Sequence, residues 1–253
     1  MAIDCDIRST DRLPGVYLAG TVGIRFLVNY AVPPDSLQPL MPPGCAVSTH
    51  NGLAWLSVCA VRLEKLRPSI LPRLAGVSFN YLILRTVAEL PYPDGKKRNS
   101  VMILESNIGG RLAARAGLVT GIRPVLRKID IDEDVRGWRL RMWSVEGQPL
   151  YDAEFPKIVM GQRLPEGSSF ANRDDSFRFL MEMSFGAAWD QKSGVISLLA
   201  ETHDPCISLV GAAKTTRFDF LDGLTKPRPE ADHVIIMQAV PHQFALRGLK
   251  VKV

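Results

Sequence analysis

The chain has 253 residues, 46% of them hydrophobic, a formal net charge of +5 and a pI near 9.1. That apolar share excludes a disordered chain, and the longest apolar runs, such as Val101 to Leu104, fall far short of the ~20 residues of a membrane-spanning helix. The basic residues are scattered: the one tight cluster, Lys96, Lys97 and Arg98, follows the turn signature Pro93-Asp94-Gly95 and reads as a solvated hairpin tip, with no helix-turn-helix, zinc-finger or RNP-like pattern to suggest nucleic acid.

No Gly-, Ser-, Pro- or charge-rich linker divides the chain, so residues 1–253 are expected to form one domain. Cys5, Cys45, Cys59 and Cys206 are far apart and lack a Cys-x-x-Cys pair, which argues for reduced, packed thiols. Met1 to Arg12 carries Asp4, Asp6 and Asp11 and no apolar stretch, so it does not read as a secretory signal. A cytoplasmic location, with no membrane partner, is the resulting expectation.

Taken in order, the elements are mostly strands. Gly15 to Val32 reads as one or two, Leu53 to Leu63 as another, and Val77 to Leu90 as a long one. Val101 to Glu105, Val125 to Ile131, Trp138 to Val145 and Leu150 to Val159 continue the series. In Trp138 to Trp143 apolar and basic residues alternate, which predicts a half-buried strand with Arg139 and Arg141 on its wet face. Short helices are expected over Asp35 to Met41, Gly110 to Ala116 and Asp174 to Phe185. Strands resume from Val195, through Cys206 to Val210, Thr215 to Phe220, Val234 to Val240 and Phe244 to Val253. The fold class is mainly β (α+β), an antiparallel barrel or sandwich with a few short helices.

His50, His203, His233 and His242 show no metal-ligand spacing, so no metal is expected. His203-Asp204-Pro205-Cys206 reads as a turn rather than a Cys/His pair. Ser106 lacks the Gly-x-Ser-x-Gly elbow of a hydrolase, and Gly109-Gly110 is too little for a phosphate site, so no cofactor is indicated. More informative are charges inside apolar strands, because a buried charge needs a partner or a ligand. Arg25 sits in Ile24-Arg25-Phe26-Leu27, Arg85 in Leu82-Ile83-Leu84-Arg85-Thr86, and Glu105 at the end of Val101-Met102-Ile103-Leu104. At period two Arg85 shares a face with Tyr81 and Ile83 and points inward. Arg85 and Glu105 are either ligand-facing or a structural ion pair between adjacent strands.

In their order and spacing, several segments resemble the acetoacetate-decarboxylase superfamily, in particular its YqjF-like branch. The likeness runs from Val22 to Val159 through Val32-Pro33-Pro34-Asp35-Ser36-Leu37, Gly52-Leu53-Ala54-Trp55-Leu56-Ser57-Val58, Phe79 to Val87, Val101 to Glu105 and Arg111 to Gly117. It implies a closed or nearly closed β structure around a cavity, usually in a homo-oligomer. In the decarboxylases a lysine forms a Schiff base with a β-keto acid while a neighbouring cation depresses its pKa. In this chain Ala114 stands for that lysine and Arg115 for the helper. Alanine forms no imine, and arginine stays protonated. The superfamily's acidic residue is also missing, since no carboxylate lies between Lys65 and Ala88; Glu64 or Ser57 takes that place, depending on the register.

The resulting expectation is a small-molecule binding protein whose pocket takes an anionic or carbonyl-bearing ligand, without Schiff-base chemistry. Arg85 and Arg115, with Arg25, would grip ligand oxygens, and Glu105 and Asn107 would position or polarise the ligand. The alternative is a lysine-dependent decarboxylase or other lyase acting on a β-keto acid, drawing its amine from Lys128 or Lys157.

Overall fold

The computed structural model describes residues 16–92, 95–111, 113–114, 124–157, 161–181, 185–203, 208–219 and 230–252. Strand β1 (Val16–Val32) leads into a one-turn helix α1 (Pro34–Leu37), opened by Pro34 at a position where its missing N–H costs nothing. The expected helix to Met41 is shorter because Gln38–Leu40 tightens into a 3₁₀ turn. Strands β2 (Ala46–Val47), β3 (Thr49–His50) and β4 (Leu53–Pro68) follow. Asn51 and Gly52 join β3 to β4 at φ of 53° and 76°, the two left-handed residues that a tight hairpin requires.

The long hairpin β5 (Val77–Pro91) and β6 (Lys97–Gly109) comes next. Its turn carries Gly95 at φ 77°, and Lys96, Lys97 and Arg98 are exposed around it, as the sequence predicts. Strand β6 runs well beyond the expected Val101 to Glu105. The expected strand from Val125 to Ile131 is split into β7 (Val125–Leu126) and β8 (Lys128–Glu133), because β7 pairs parallel with β6 whereas β8 crosses to another sheet. Strands β9 (Gly137–Trp143) and β10 (Pro149–Pro156) complete the middle of the chain. Gly137 is demanded by packing, since a Cβ there would meet the Phe155 carbonyl oxygen at 2.3 Å.

Helix α2 (Arg173–Met181) is capped by Asn172, whose Oδ1 accepts the Asp175 N–H at 2.9 Å, and Asp174 and Asp175 suit its positive end. The helix stops before the expected Phe185, which instead opens β11 (Phe185–Asp190). Then come β12 (Val195–His203), β13 (Ser208–Gly211), β14 (Lys214–Phe218) and β15 (Ala231–Lys252), the last a single strand where the sequence suggests two.

Among the described residues the strands form an eleven-stranded sheet, in the main order β2-β5-β4-β1-β15-β12-β11-β6-β7, and a four-stranded sheet, β14-β10-β9-β8. Strand β5 also pairs with β6, so the large sheet curls until its pairings form a circuit. All pairings are antiparallel except β6–β11 and β6–β7. The small sheet stacks on one face of the large one, sandwich-like. Between them lies the main core: Phe26, Val28 and Tyr30 of β1, Leu56 and Val58 of β4, and Leu82 and Leu84 of β5, against Ile129, Leu140, Met142, Tyr151 and Phe155. The opposite face of β1, β4, β5 and β15 carries Leu27, Trp55, Cys59, Val61, Ile235 and Met237 and is covered by α2 and Phe170. Arg139 and Arg141 stay at the solvent surface, paired with Asp152 and Asp132. No helix among the described residues is long and apolar enough to cross a membrane.

Candidate functional site

The β5–β6 ladder sorts the expected site residues. Leu84 pairs with Glu105 and Leu82 with Asn107, so both polar side chains share the face of those leucines, toward the main core. Arg85 pairs with Ser57 and Ile103 and points to the other face, where its guanidinium donates to the Leu180 carbonyl at 2.9 Å and meets Met181 Sδ at 3.4 Å. A one-residue register shift between Leu84 and Arg85 sets this division. The Arg85–Glu105 ion pair is therefore not formed. Arg25 is 7% exposed and pairs with Val61 and Met237, which places it on the Arg85 face. Ala114 lies in a helical turn with its N–H bonded to the Gly110 carbonyl, and Arg115 lies outside the described residues.

On the core-facing side, several buried polar atoms around β5 and β6 lack hydrogen-bond partners among the described residues: Thr86 Oγ1, Glu105 Oε1, Asn107 Nδ2 and Oδ1, Arg127 Nε and Trp189 Nε1. Trp138 Nε1 in the main core and Trp55 Nε1 on the other face do so as well. Asn107 is fully buried and Thr86 nearly so. Register sets them in a row along one face, with Asn107 opposite Leu82, Glu105 opposite Leu84 and Thr86 further along the same strand as those leucines. Thr86 pairs with Met102, Ala188 sits beside Ile103, and the stretch after β7 brings Arg127 alongside Ile108, where the Arg127 N–H reaches its carbonyl. Burial raises the Glu105 pKa above the usual carboxylate range, and the nearby Asn107 amide and the Arg127 charge only partly oppose it.

The other face carries a polar network of opposite character. His233 Nδ1 donates to Asp232 Oδ1 at 2.7 Å, and its Nε2 faces Ser176 Oγ at 2.7 Å and Asn29 Nδ2 at 3.1 Å. Asn29 Nδ2 also donates to the Leu27 carbonyl, while its Oδ1 accepts from Ser57 Oγ at 2.8 Å. The Asn29 orientation thus makes Nε2 an acceptor and leaves the ring hydrogen on Nδ1. Asp232 is further held by Ser168 Oγ at 2.6 Å and the Ser169 N–H at 2.7 Å. Burial alone would raise the Asp232 pKa, but the hydrogen bonds from His233, Ser168 and Ser169 outweigh it and bring the value down. Ser176, His233 and Asp232 have the connectivity of an acyl-transfer triad, yet Ser176 and His233 are 0% exposed beneath Trp55 and Phe170. With every polar atom satisfied and no approach for a substrate, the network pins α2 to the sheet.

The remaining sequence candidates stand apart. His50 stacks on Phe170 and faces Asp175 at 3.2 Å. Lys128 pairs with Asp130 and covers the Trp143 ring, and Lys157 pairs with Glu133, both near the surface. Glu64 lies along Gly23. Ser106 bonds the Tyr81 hydroxyl at 2.7 Å. Cys45 and Cys59 are free and buried, and burial raises the Cys45 thiol pKa against the pull of Lys97. No group of three or more metal-ligating side chains occurs among the described residues.

The solved structures similar to this fold include the enduracididine biosynthesis enzyme MppR complexed with pyruvate. It is 14% identical, with a TM-score of 0.62 over 96% of this chain and 93% of that one. An acetoacetate decarboxylase from Legionella pneumophila is 10% identical, with a TM-score of 0.62 over 96% of this chain and 92% of the other. An acetoacetate decarboxylase-like enzyme from Sphingomonas wittichii is 13% identical, with a TM-score of 0.61 over 94% and 93%. None of the curated proteins compared with the chain matches it. The model of the family DUF2071, described as an uncharacterized conserved protein family, matches residues 24–182. The chain therefore belongs to the DUF2071 family and has the acetoacetate-decarboxylase-like fold.

Proposed function

We propose that this protein binds a small anionic or carbonyl-bearing organic molecule on the core-facing side of β5 and β6, without forming a Schiff base. The observation that carries this reading is the group of buried, unpartnered polar atoms at Thr86, Glu105, Asn107, Arg127 and Trp189. Leaving one such group unsatisfied costs about 1–3 kcal/mol, so a concentration of them on one face is expected to be completed by something else. Donors predominate: the Trp189 N–H, the Arg127 Nε–H, the Asn107 amide and the Thr86 hydroxyl all offer hydrogens, which suits a ligand rich in oxygen acceptors. Arg127 adds positive charge. MppR, of the same fold, is solved with pyruvate, which has this character.

The amine of a Schiff-base mechanism has no support at the two lysines the sequence suggests, since Lys128 and Lys157 are engaged at the surface. Calorimetric titration with pyruvate tests the reading. Binding by the wild type is expected, with at least a tenfold loss in Asn107→Leu, on the scale of about 1.4 kcal/mol for one good hydrogen bond to the ligand. Equal affinity in the two proteins would move the site elsewhere.

A further inference from the structure

We infer that the Glu105 face takes up a proton as it binds an anion, with the Glu105 carboxyl turning from an acceptor into a donor toward the ligand. This rests on the proposed ligand site and adds a rule for when that site can be filled.

The inference follows from a count of charges. Among the described residues, Arg127 is the cation that acts on Glu105. The groups on the other surrounding elements do not add to it. Strand β5 opposes Glu105 with Leu84, and β11 contributes Trp189. Strand β8 turns Ile129 and Ile131 inward and keeps Lys128 and Asp130 paired near the surface. Arg62 of β4 donates to the Ile131 carbonyl and leans toward Glu133. Arg139 and Arg141 of β9 pair with Asp152 and Asp132 on the solvent side.

Among the described residues, one cation and one carboxylate balance while the site is empty. An arriving anion leaves one negative charge in excess, in a place where Glu105 Oε1 has no partner at full hydrogen-bond geometry among the described residues and only the Asn107 amide and Arg127 ease the carboxylate. An uncompensated buried charge is costly, and two carboxylates in one site hold a proton between them. Protonating Glu105 restores the balance and supplies an O–H for the incoming acceptor. Burial, which already raises the Glu105 pKa, works in the same direction.

The test is calorimetry with pyruvate over a range of pH, repeated in buffers of different ionisation enthalpy, on the wild type and Glu105→Gln. The wild type is expected to take up close to one proton per pyruvate bound. Its affinity should fall about tenfold for each pH unit above the titration of the free carboxyl. Glu105→Gln carries a permanent neutral donor, so its affinity should be flat with pH and its heats independent of buffer. Pyruvate binding without proton uptake in the wild type, or the same pH slope in both proteins, overturns the inference and leaves the ligand site standing. Failure of pyruvate to bind at any pH removes the proposed site and the inference with it. The buffer measurement on the wild type needs no variant, so a folding defect in Glu105→Gln does not blunt the test.

Discussion

The two faces of the large sheet carry polar clusters of opposite character, although the Trp55 indole N–H, on the face covered by α2, also lacks a partner among the described residues. Beneath α2, Asp232, His233, Ser176, Asn29 and Ser57 form a chain in which each named atom has a partner at 3.1 Å or less. Toward the main core, Thr86, Glu105, Asn107, Arg127 and Trp189 hold buried atoms with none among the described residues. Completed networks rigidify a fold, whereas incomplete ones cost stability and persist where something outside the chain finishes them. The contrast separates structure from function more sharply than residue type does, since both faces contain carboxylates, amides and hydroxyls.

The largest effect is expected on the completed face. Asp232→Ala removes the acceptor for His233 Nδ1, Ser168 Oγ and the Ser169 N–H in one step. A loss of about 3 kcal/mol is expected, read as a lower urea midpoint at unchanged slope. A loss under about 1 kcal/mol would mean that the network does not pin α2. The pH dependence has a definite sign. Asp232 has a lower pKa folded than unfolded, so its stabilisation is complete above the ordinary carboxylate range and is lost as pH falls through the depressed folded value. The wild type should therefore lose stability on acidification below about pH 4 more steeply than Asp232→Asn.

Arg85→Ala comes next. The guanidinium meets the Leu180 carbonyl at the C-terminal end of α2, where a cation also favours the helix dipole. Its removal should cost about 1–2 kcal/mol in the same unfolding measurement. Because Arg85 and Glu105 stand on opposite faces, pyruvate affinity should change less than twofold. A loss of affinity comparable to that of Asn107→Leu would join the two faces into one site and dissolve the comparison.

Much of the β architecture is legible in the sequence because its period is local. Alternation from Trp138 to Trp143 places Arg139 and Arg141 outward, and period two puts Arg85 on the side of Tyr81 and Ile83, as the structure has it. What is not local is register. Whether Glu105 joins Arg85 depends on cross-strand pairing, and a one-residue shift at Leu84 and Arg85 turns a neighbour to the other face. The His233 network is not legible in the sequence for a related reason. Its members come from β1, β4, α2 and β15, and no spacing in the chain links Asn29 to His233. A signal is nevertheless present: Asn29 and Ser57 interrupt apolar strands just as Arg25 and Arg85 do, as neutral rather than charged polar groups, and Thr86 does the same beside Arg85.

The smallest expected effect has an unusual sign. Asn107 is fully buried, and neither Nδ2 nor Oδ1 has a partner at full hydrogen-bond geometry among the described residues, its amide only easing the Glu105 carboxylate, so Asn107→Leu exchanges two largely desolvated polar atoms for methyl groups of similar volume. Such a replacement removes the penalty of unmade hydrogen bonds and adds apolar contact beside Leu82. The ligand-free variant should be more stable by up to about 1 kcal/mol, a rise of about 2 °C in Tm for a chain of this size. The matched control is Asn29→Leu, where the same substitution breaks bonds to His233, Ser57 and Leu27 and should cost about 2 kcal/mol. Opposite signs for one substitution on two faces of one sheet are what a ligand-completed site and a self-completed network require. If both variants lose stability alike, Asn107 is held by the fold itself, and the core-facing cluster has no call on a ligand.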